Sequence, residues 1–484
     1  MSSVVADERL FEVGDAEEAV AGQPKAPVDK TFRPYDQHQV FLLPPSLQDW
    51  LAEGHLARFI DELVEEVLDL GPFLASYTEV RGYPPYDPRL MLKLLLYGYV
   101  TGVRSSRAIE RRCADDVAFR FLAANAAPDY RSVARFRRRH LDALESLFLQ
   151  ALQLCRAAGM VRLGRVALDG TKVRANASRR KAMSYERMTE READLQAEVD
   201  AMMAEAEATD AGEDAAYGPD GRGDDLEGEL ARRESRLAKI RRAKADLEDE
   251  ARAKAAEKAA EKARRRGADD DTVAGEATQA AETATPDPKA QRNFTDPDAR
   301  IMKTSDGSFH YCYNGQAVVD DAHQVVVGAD VTTCAADAPS FTPLVDQAIA
   351  NCGAAPDGIV ADAGYFSEDN VEAARDRQID PLIATGRLKH NETPPPAPRG
   401  PIPASATPKE RMARKLRTKK GKAAYARRKV IVEPVFGQMQ TLQGAGQLLL
   451  RGETAARAEW RLINACHNLR KLFGFAGTAK VGIA

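Results

Sequence analysis

The chain has 484 residues, a formal net charge of −4 and 44% hydrophobic residues, which is enough for two or three domains. Its most apolar stretch, Leu90 to Val100, is about half the length of a membrane span and contains Lys93, so no transmembrane segment is expected. The six cysteines form no CxxC pair and no finger-like Cys/His spacing, which argues against structural zinc and favours a reduced, cytoplasmic compartment.

The charge is divided into blocks along the chain. Residues 81–180 hold 20 Lys and Arg against 8 Asp and Glu, and residues 386–484 hold 20 against 5. Residues 181–290 hold 19 against 29. Two basic regions on either side of an acidic one predict contacts with a phosphate backbone. The alternative is that these charges lie on solvated helix faces.

The first part of the chain predicts helices only. Residues 1–32 are polar and patternless, which is typical of a disordered leader, and residues 33–160 predict an all-α DNA-binding domain. Asp87-Pro88 and Ser105 are helix-start signals, and Asp129 or Ser132 starts a further helix. The short helices fit either a helix-turn-helix or a bundle with a cationic surface. The arginines predicted to contact DNA from this domain are Arg131, Arg135, Arg137 and Arg138.

Residues 183–290 have a different composition, rich in Ala and charged residues and nearly devoid of aromatics. They predict a charged, coiled-coil-like helical insertion, with helices at 183–208 and 226–266 and a Gly/Asp-rich break at 211–225. Residues 267–290 are predicted to be a disordered linker. A solvated spacer is the simplest role, and contact with a partner subunit or with DNA is the alternative.

Residues 161–182 and 291–474 alternate between strands and helices, and three acidic residues stand out there. Asp169 follows the apolar run Val166-Ala167-Leu168 directly, and Asp362 follows Gly358-Ile359-Val360-Ala361 in the same way. Glu433 lies in a basic helical segment. Strand ends that deliver carboxylates into one crevice hold divalent metals for phosphoryl chemistry, which predicts a metal-dependent enzyme acting on nucleic acid. Taken singly, the aspartates are also compatible with turns and Glu433 with a surface acid, and Asp330 is an alternative ligand.

Six sequence pieces carry a resemblance to a known family: ALDGTKVRANAS, TDPDARIMKT, YNGQAVVD, ADAGYF, VEPVFGQ and ACHNLRKL. Together with the element order, they resemble the DDE-type transposases of bacterial insertion sequences, in the group with a helical N-terminal domain and a Tyr-Arg-Glu-Lys signature. The resemblance covers roughly residues 33–180 and 291–474. It implies an α/β RNase H-like catalytic domain, with a mixed five-stranded sheet flanked by helices, acting in the bacterial cytoplasm in association with the nucleoid.

The resemblance implies that Asp169, Asp362 and Glu433 are the catalytic, metal-binding carboxylates. They would hold Mg²⁺, with Mn²⁺ as a substitute and two ions as the expected number, because Mg²⁺ prefers hard oxygen ligands. The implied reaction is strand cleavage at terminal inverted repeats by water, followed by attack of the freed 3′-OH. Lys172 and Arg174 come shortly after Asp169 and are predicted to contact phosphate near the site.

The signature around the glutamate matches the family only in part. Tyr425 takes the tyrosine place, but Lys429 stands four residues before the glutamate, where arginine is frequent, and Gln440 stands seven after it, where lysine is usual. Arg427 or Arg428 would then supply the arginine from a neighbouring position. All five residues are predicted to contact DNA, and the choice between the two arginines stays open.

The partner implied by the resemblance is double-stranded DNA, both element ends and target, bound by a homodimer away from any membrane. One alternative is an inactive, transposase-derived DNA-binding protein, which terminal inverted repeats beside the gene would help to distinguish. A tyrosine recombinase with Tyr425 as nucleophile is a third interpretation. It is disfavoured because the required histidines are missing within thirty residues of that tyrosine.

Overall fold

The fold is that of a computed structural model, which describes residues 46–78, 84–217, 225–386, 396 and 399–476. The predicted leader at 1–32 lies outside the described residues, as does all but the start of the predicted tail at 475–484. None of the described helices combines the length and the hydropathy needed to cross a membrane.

The described chain begins with helices only, up to α7, and strands and helices follow one another after that. The helices are α1 (Leu56–Glu62), α2 (Gly71–Leu74), α3 (Pro88–Thr101), α4 (Ser106–Asp115), α5 (Val117–Leu122), α6 (Tyr130–Arg139), α7 (Leu141–Ala157), α8 (Tyr185–Tyr217), α9 (Asp225–Arg265), α10 (Asp270–Thr283), α11 (Phe341–Cys352), α12 (Glu368–Asp376), α13 (Pro408–Arg417), α14 (Lys419–Ile431), α15 (Glu433–Thr441) and α16 (Glu453–Ala476). The strands are β1 (Arg165–Arg174), β2 (Ala182–Ser184), β3 (Gln291–Asn293), β4 (Arg300–Lys303), β5 (Phe309–Asp320), β6 (Val326–Thr332), β7 (Gly358–Ala361) and β8 (Asp380–Ile383).

The N-terminal helices begin where the sequence predicts. The carboxylate of Asp87 caps α3 by accepting from the backbone N–H of Arg89, and Pro88 occupies the first turn. Ser105 caps α4, and Asp129 caps α6. These side chains satisfy N–H groups that a helix start leaves without partners, so the three predicted starts are confirmed.

The central sheet is mixed, with the order β4-β5-β1-β7-β8 and β6 also paired to β5. β1 is antiparallel to β5 and parallel to β7, and β7 is parallel to β8. The sequence predicted five strands. The additional strand β4 pairs with the first residues of β5, Phe309 to Cys312, whereas β6 pairs with its later residues from Asn314 onward. The same edge of the long strand β5 therefore accommodates both strands.

One continuous hydrophobic core joins the N-terminal helices to the sheet. α16 packs against both α7 and β6. The buried carboxylate of Glu459 in α16 accepts from the hydroxyl of Tyr99 at 2.9 Å and from the guanidinium of Arg104 at 3.2 Å. Both donors belong to the N-terminal region, so buried polar contacts reinforce the shared core.

The insertion between β1 and β5 folds on its own small core. α8 and α9 run antiparallel, because Glu192 pairs with Arg241 while Glu198 pairs with Arg233. The helical prediction is correct, but the predicted break is partly wrong, since α8 continues to Tyr217 and only residues 218–224 lie outside the described residues. The prediction of a disordered linker at 267–290 is also wrong. This segment contains the capped helix α10, which packs on α9, and it ends directly before β3, which begins at Gln291.

Candidate active site

Two neighbouring parallel strands deliver the two predicted aspartates. The parallel pairing of β1 with β7 ends at Leu168 and Ala361, and Asp169 and Asp362 are the residues that follow. The strand segments before them are buried, which fixes the backbone on which each carboxylate stands. Asp362 also accepts the backbone N–H of Gly364 at 2.8 Å and so starts a short 3-10 turn. Both acids therefore lie at the carboxyl edge of the sheet, where α/β proteins commonly place their sites.

The third predicted acid, Glu433, is the first residue of α15. α14 ends at Ile431, and Val432 alone separates it from α15. The guanidinium of Arg428, in the last turn of α14, lies 2.5 Å from the Asp169 carboxylate and 3.7 Å from that of Glu433. Arg428 thus bridges the first and third acids of the predicted triad.

The charges of all three acids act on the Arg428 guanidinium. Burial lowers the pKa of Arg428, but the charges of Asp169, Asp362 and Glu433 favour the cation and leave the pKa raised. Burial also raises the pKa of Asp169 to about 6, against the effect of Arg428 and with further contributions from Asp362 and Asp337. The surroundings of Asp169 therefore favour a cation or a proton at this carboxyl group.

The residues fit a divalent metal in chemistry, although not in their present arrangement. Among the described residues no group of three His, Cys, Asp or Glu side chains is close enough to hold a metal ion. Instead, an arginine cation contacts two of the three carboxylates and is influenced by the charge of the third, so it supplies the positive charge that Mg²⁺ would bring. In this arrangement Arg428 lies between the carboxylates of Asp169 and Glu433.

Asp337 is a further carboxylate of the site that the sequence analysis missed. It lies in the turn between β6 and α11, next to the backbone that follows both aspartates. A Cβ on Gly170 would lie 3.0 Å from its Oδ1, and a Cβ on Gly364 would lie 3.0 Å from its Oδ2. Asp330, the alternative ligand, instead accepts from Arg457 at 2.7 Å, an ion pair that occupies this carboxylate elsewhere on the sheet.

The predicted DNA contacts next to the glutamate separate into two groups. Tyr425 lies close enough to Arg428 for the cation to act on its pKa, which burial raises. Gln440 donates to the hydroxyl of Thr171 at 3.3 Å, so it reaches β1 two residues after Asp169. Arg427 instead pairs with Asp321, and Lys429 is exposed on α14. Of the two candidate arginines, Arg428 is the one that faces the carboxylates.

The two predicted cations on β1 have acidic partners. The ammonium of Lys172 lies 3.1 Å from the Asp337 carboxylate and is partly buried. Arg174 pairs with Asp306 at 3.2 Å, and both of these side chains are about half exposed. Lys172 therefore belongs to the site, whereas Arg174 lies further along the strand at its surface.

The predicted arginines of α6 differ in exposure. Arg131, Arg135 and Arg138 are exposed and remain candidates for phosphate contacts. The prediction for Arg137 is wrong, because this side chain is 4% exposed. Its guanidinium donates to the carbonyl of Arg104 at 2.7 Å and lies over the ring of Tyr99, so it supports the core rather than a DNA surface.

Two family models match separate parts of the chain. Residues 45–139 match the family described as Transposase domain (DUF772), and residues 281–469 match the Transposase DDE domain. Together they cover more than half of the chain, and the mixed sheet flanked by helices agrees with the RNase H-like fold of the second family.

The matches define a transposase with a DDE catalytic domain. The chain belongs to the DDE-type insertion-sequence transposases, and its function is DNA transposition. Asp362 and Glu433 lie within the second match, whereas Asp169 lies between the two. Neither the curated proteins nor the solved structures provide a match.

Proposed function

We propose that this transposase cleaves the ends of its element in a reaction that depends on divalent metal, with Asp169, Asp362 and Glu433 as the metal ligands. Mg²⁺ is the expected ion, and Mn²⁺ the expected substitute. The observation that carries the proposal is that Arg428 contacts the carboxylates of Asp169 and Glu433, while the charge of Asp362, which follows the neighbouring strand β7, acts on the same guanidinium. Such a set of oxygen donors matches the preference of Mg²⁺.

A pair of bound metal ions would activate the attacking oxygen and stabilise the leaving one. The chain itself supplies position. Asp169 and Asp362 stand on buried strands, while Glu433 approaches from the separate helix α15. Water is the first attacking group and the freed 3′-OH of the element end is the second, so no covalent bond between protein and DNA is needed.

Arg428 serves two successive purposes in this proposal. Before DNA binds, its guanidinium neutralises Asp169 and Glu433 in a site where burial disfavours free charge. A DNA phosphate is a negatively charged partner that can accept two hydrogen bonds from the same guanidinium. Transfer of Arg428 from carboxylate to phosphate would leave the carboxylates free for metal when the substrate arrives.

The wider DNA surface in this proposal has two parts. The exposed arginines of α6, Arg131, Arg135 and Arg138, supply one, and the basic helices α13 and α14 supply the other. Contacts to phosphate from both parts would give binding that weakens steeply with salt. A homodimer on paired element ends, in the bacterial cytoplasm, belongs to the same proposal.

The test uses isosteric variants that remove one charge each: Asp169→Asn, Asp362→Asn and Glu433→Gln. Each is expected to slow the cleavage of labelled element-end DNA in Mg²⁺ by about 1000-fold, while DNA binding in a gel shift stays near wild type. Asp346→Asn is the matched control, because Asp346 of α11 is half exposed and pairs with Arg377, the residue directly after α12. Cleavage near the wild-type rate by any triad variant would contradict the assignment of that residue.

A further inference from the structure

Asp337 is surrounded by donors that come from two strands of the sheet. Its Oδ1 accepts from the amide of Asn314 at 2.7 Å, from the amide of Gln316 at 2.9 Å and from the ammonium of Lys172 at 3.1 Å. Both amide residues are fully buried on β5. Surface ion pairs have mobile partners, but here buried amides determine where the carboxylate stands.

The backbone on both sides also limits the position of Asp337. A side chain at Gly170 would meet the Gln316 amide at 2.4 Å, and one at Gly364 would lie 3.0 Å from both Asp337 Oδ2 and Asp362 Oδ1. The carboxylate thus fills a gap that glycines keep open directly after each of the two aspartates, within β1 and after β7. Its side chain is 23% exposed, so the remaining open side faces solvent at the rim of the sheet.

The position of the Lys172 ammonium depends on the turn that carries Asp337. Residues alternate between the faces of β1, so Lys172 starts on the opposite face from Asp169. The carbonyl of Ala335 and the Asp337 carboxylate accept two of the three ammonium N–H groups. These bonds hold the ammonium beside the turn that carries Asp337, at the rim where Gly364 and Asp362 lie.

We propose that Asp337 is a positioning residue of the transposition reaction. It fixes Lys172 so that the third N–H of the ammonium is directed to a non-bridging oxygen of a DNA phosphate at or next to the cleavage site. The inference rests on the proposed function, because it assumes that cleavage occurs between Asp169 and Asp362. Asp337 acts through Lys172 and does not itself touch the DNA.

The test is a double-mutant cycle on the full chain with element-end DNA. Lys172→Ala and Asp337→Ala are each expected to slow cleavage about tenfold, because each removes the same hydrogen bond to a charged phosphate, directly or by releasing its donor. The double variant is expected to be no slower than either single variant. Asp337→Asn, which keeps an acceptor for both amides and for Lys172, is expected to lie between wild type and Asp337→Ala, and it serves as the test if thermal melting shows that Asp337→Ala does not fold.

A second measurement separates phosphate positioning from a general structural effect. Neutral methylphosphonates are placed in turn at the phosphates around the cleavage site, and cleavage is compared between wild type, Lys172→Ala and Asp337→Asn. One position is expected to slow the wild type about tenfold, to matter less in Asp337→Asn and to have no effect in Lys172→Ala. Asp346→Asn should show the wild-type pattern.

Three outcomes would overturn the inference: wild-type cleavage by Asp337→Ala, multiplicative losses in the double variant, or recovery of the Asp337 variants to the wild-type rate in high Mn²⁺, which would indicate a metal ligand instead. The triad variants are measured beside these. If Asp169→Asn cleaves normally, the proposed function fails, whereas inactive triad variants with a normal Asp337→Ala reject only the positioning role.

Discussion

Replacement of Arg428 by methionine separates the two purposes of this side chain. Methionine keeps an unbranched apolar stem but has no charge, so the Asp169 carboxylate loses a guanidinium that lies 2.5 Å away. We expect the DNA-free variant to bind divalent metal more tightly than wild type and yet to cleave DNA more slowly. Metal binding improves because a competing cation is gone, and cleavage suffers because the phosphate loses its bidentate partner.

The size of the effect follows from the burial of the pair. The side chains of Arg428 and Asp169 are 15% and 16% exposed, so the interaction is stronger than a surface ion pair but is partly screened. If displacing the guanidinium costs about 2 kcal/mol, Mn²⁺ should bind the variant about 30-fold more tightly. Without metal, the buried carboxyl loses its cation, and unfolding should become easier by up to about 3 kcal/mol.

Electron paramagnetic resonance of free Mn²⁺ measures the affinity without any catalytic step, and thermal melting with and without Mn²⁺ reports the stability. Arg427→Met is the matched control, because Arg427 is adjacent on α14 but pairs with Asp321 instead. It should leave Mn²⁺ binding unchanged. Equal Mn²⁺ affinity in wild type and a folded Arg428→Met variant would refute the competition between guanidinium and metal.

Two further predictions concern stability and the shape of the site. Burial lowers the pKa of His467 to about 4, so below pH 6.5 the unfolded chain takes up a proton that the folded chain refuses. Stability should therefore fall by at most about 3 kcal/mol as the pH drops from 6.5 towards 4, and His467→Gln should flatten this dependence in urea unfolding; parallel curves would contradict it. Gly170→Ala should slow cleavage about 100-fold in a folded protein, because its Cβ would meet the Gln316 amide at 2.4 Å. Gly164→Ala, with nothing within 4 Å of the added Cβ, should cleave like wild type.

The local sequence pattern predicted the end of β7 and the starts of the N-terminal helices. The apolar run of β7 ends at an acidic residue, and a short buried strand leaves that residue at the sheet edge, so Asp362 could be placed there beforehand. The N-terminal helix starts followed in the same way from single capping residues. Asp337 could not be found like this, because it sits in a turn whose approach to Gly170 and Gly364 depends on how α11 folds back over the sheet.

The burial of Arg137 is a different case, since the sequence did contain the signal. Val133, Phe136, Arg137 and His140 follow the spacing of one helix face, and all four are buried. The density of arginines in α6 suggested a uniformly cationic surface, but helical periodicity places one of them among the core positions. The helical spacing of the apolar residues in α6 therefore identifies Arg137 as a core position.

The insertion is joined to the rest of the chain by ion pairs of Glu250, which its charged composition did not predict. Glu250 of α9 accepts from Arg292 at 2.9 Å and from Arg300, and the Arg292 side chain is only 4% exposed. Glu250→Ala would leave these cations without their carboxylate in a buried joint, at a cost of about 3 kcal/mol. Replacement of residues 186–288 by a Gly/Ser linker removes both Glu250 and the helix that shields Arg292 from solvent. Water can then solvate the Arg292 guanidinium.

The single substitution should therefore disturb the joint more than removal of the whole insertion disturbs the remaining core. Calorimetry of Glu250→Ala is expected to show an early transition, with α9 open to protease, whereas Glu257→Ala, on an exposed position of the same helix, should match wild type. The deletion variant should keep the main transition, since the core of the sheet and N-terminal helices is separate from the apolar cluster of α8 and α9. An insoluble deletion variant, or a Glu250→Ala variant that melts like wild type, would contradict this account of the joint.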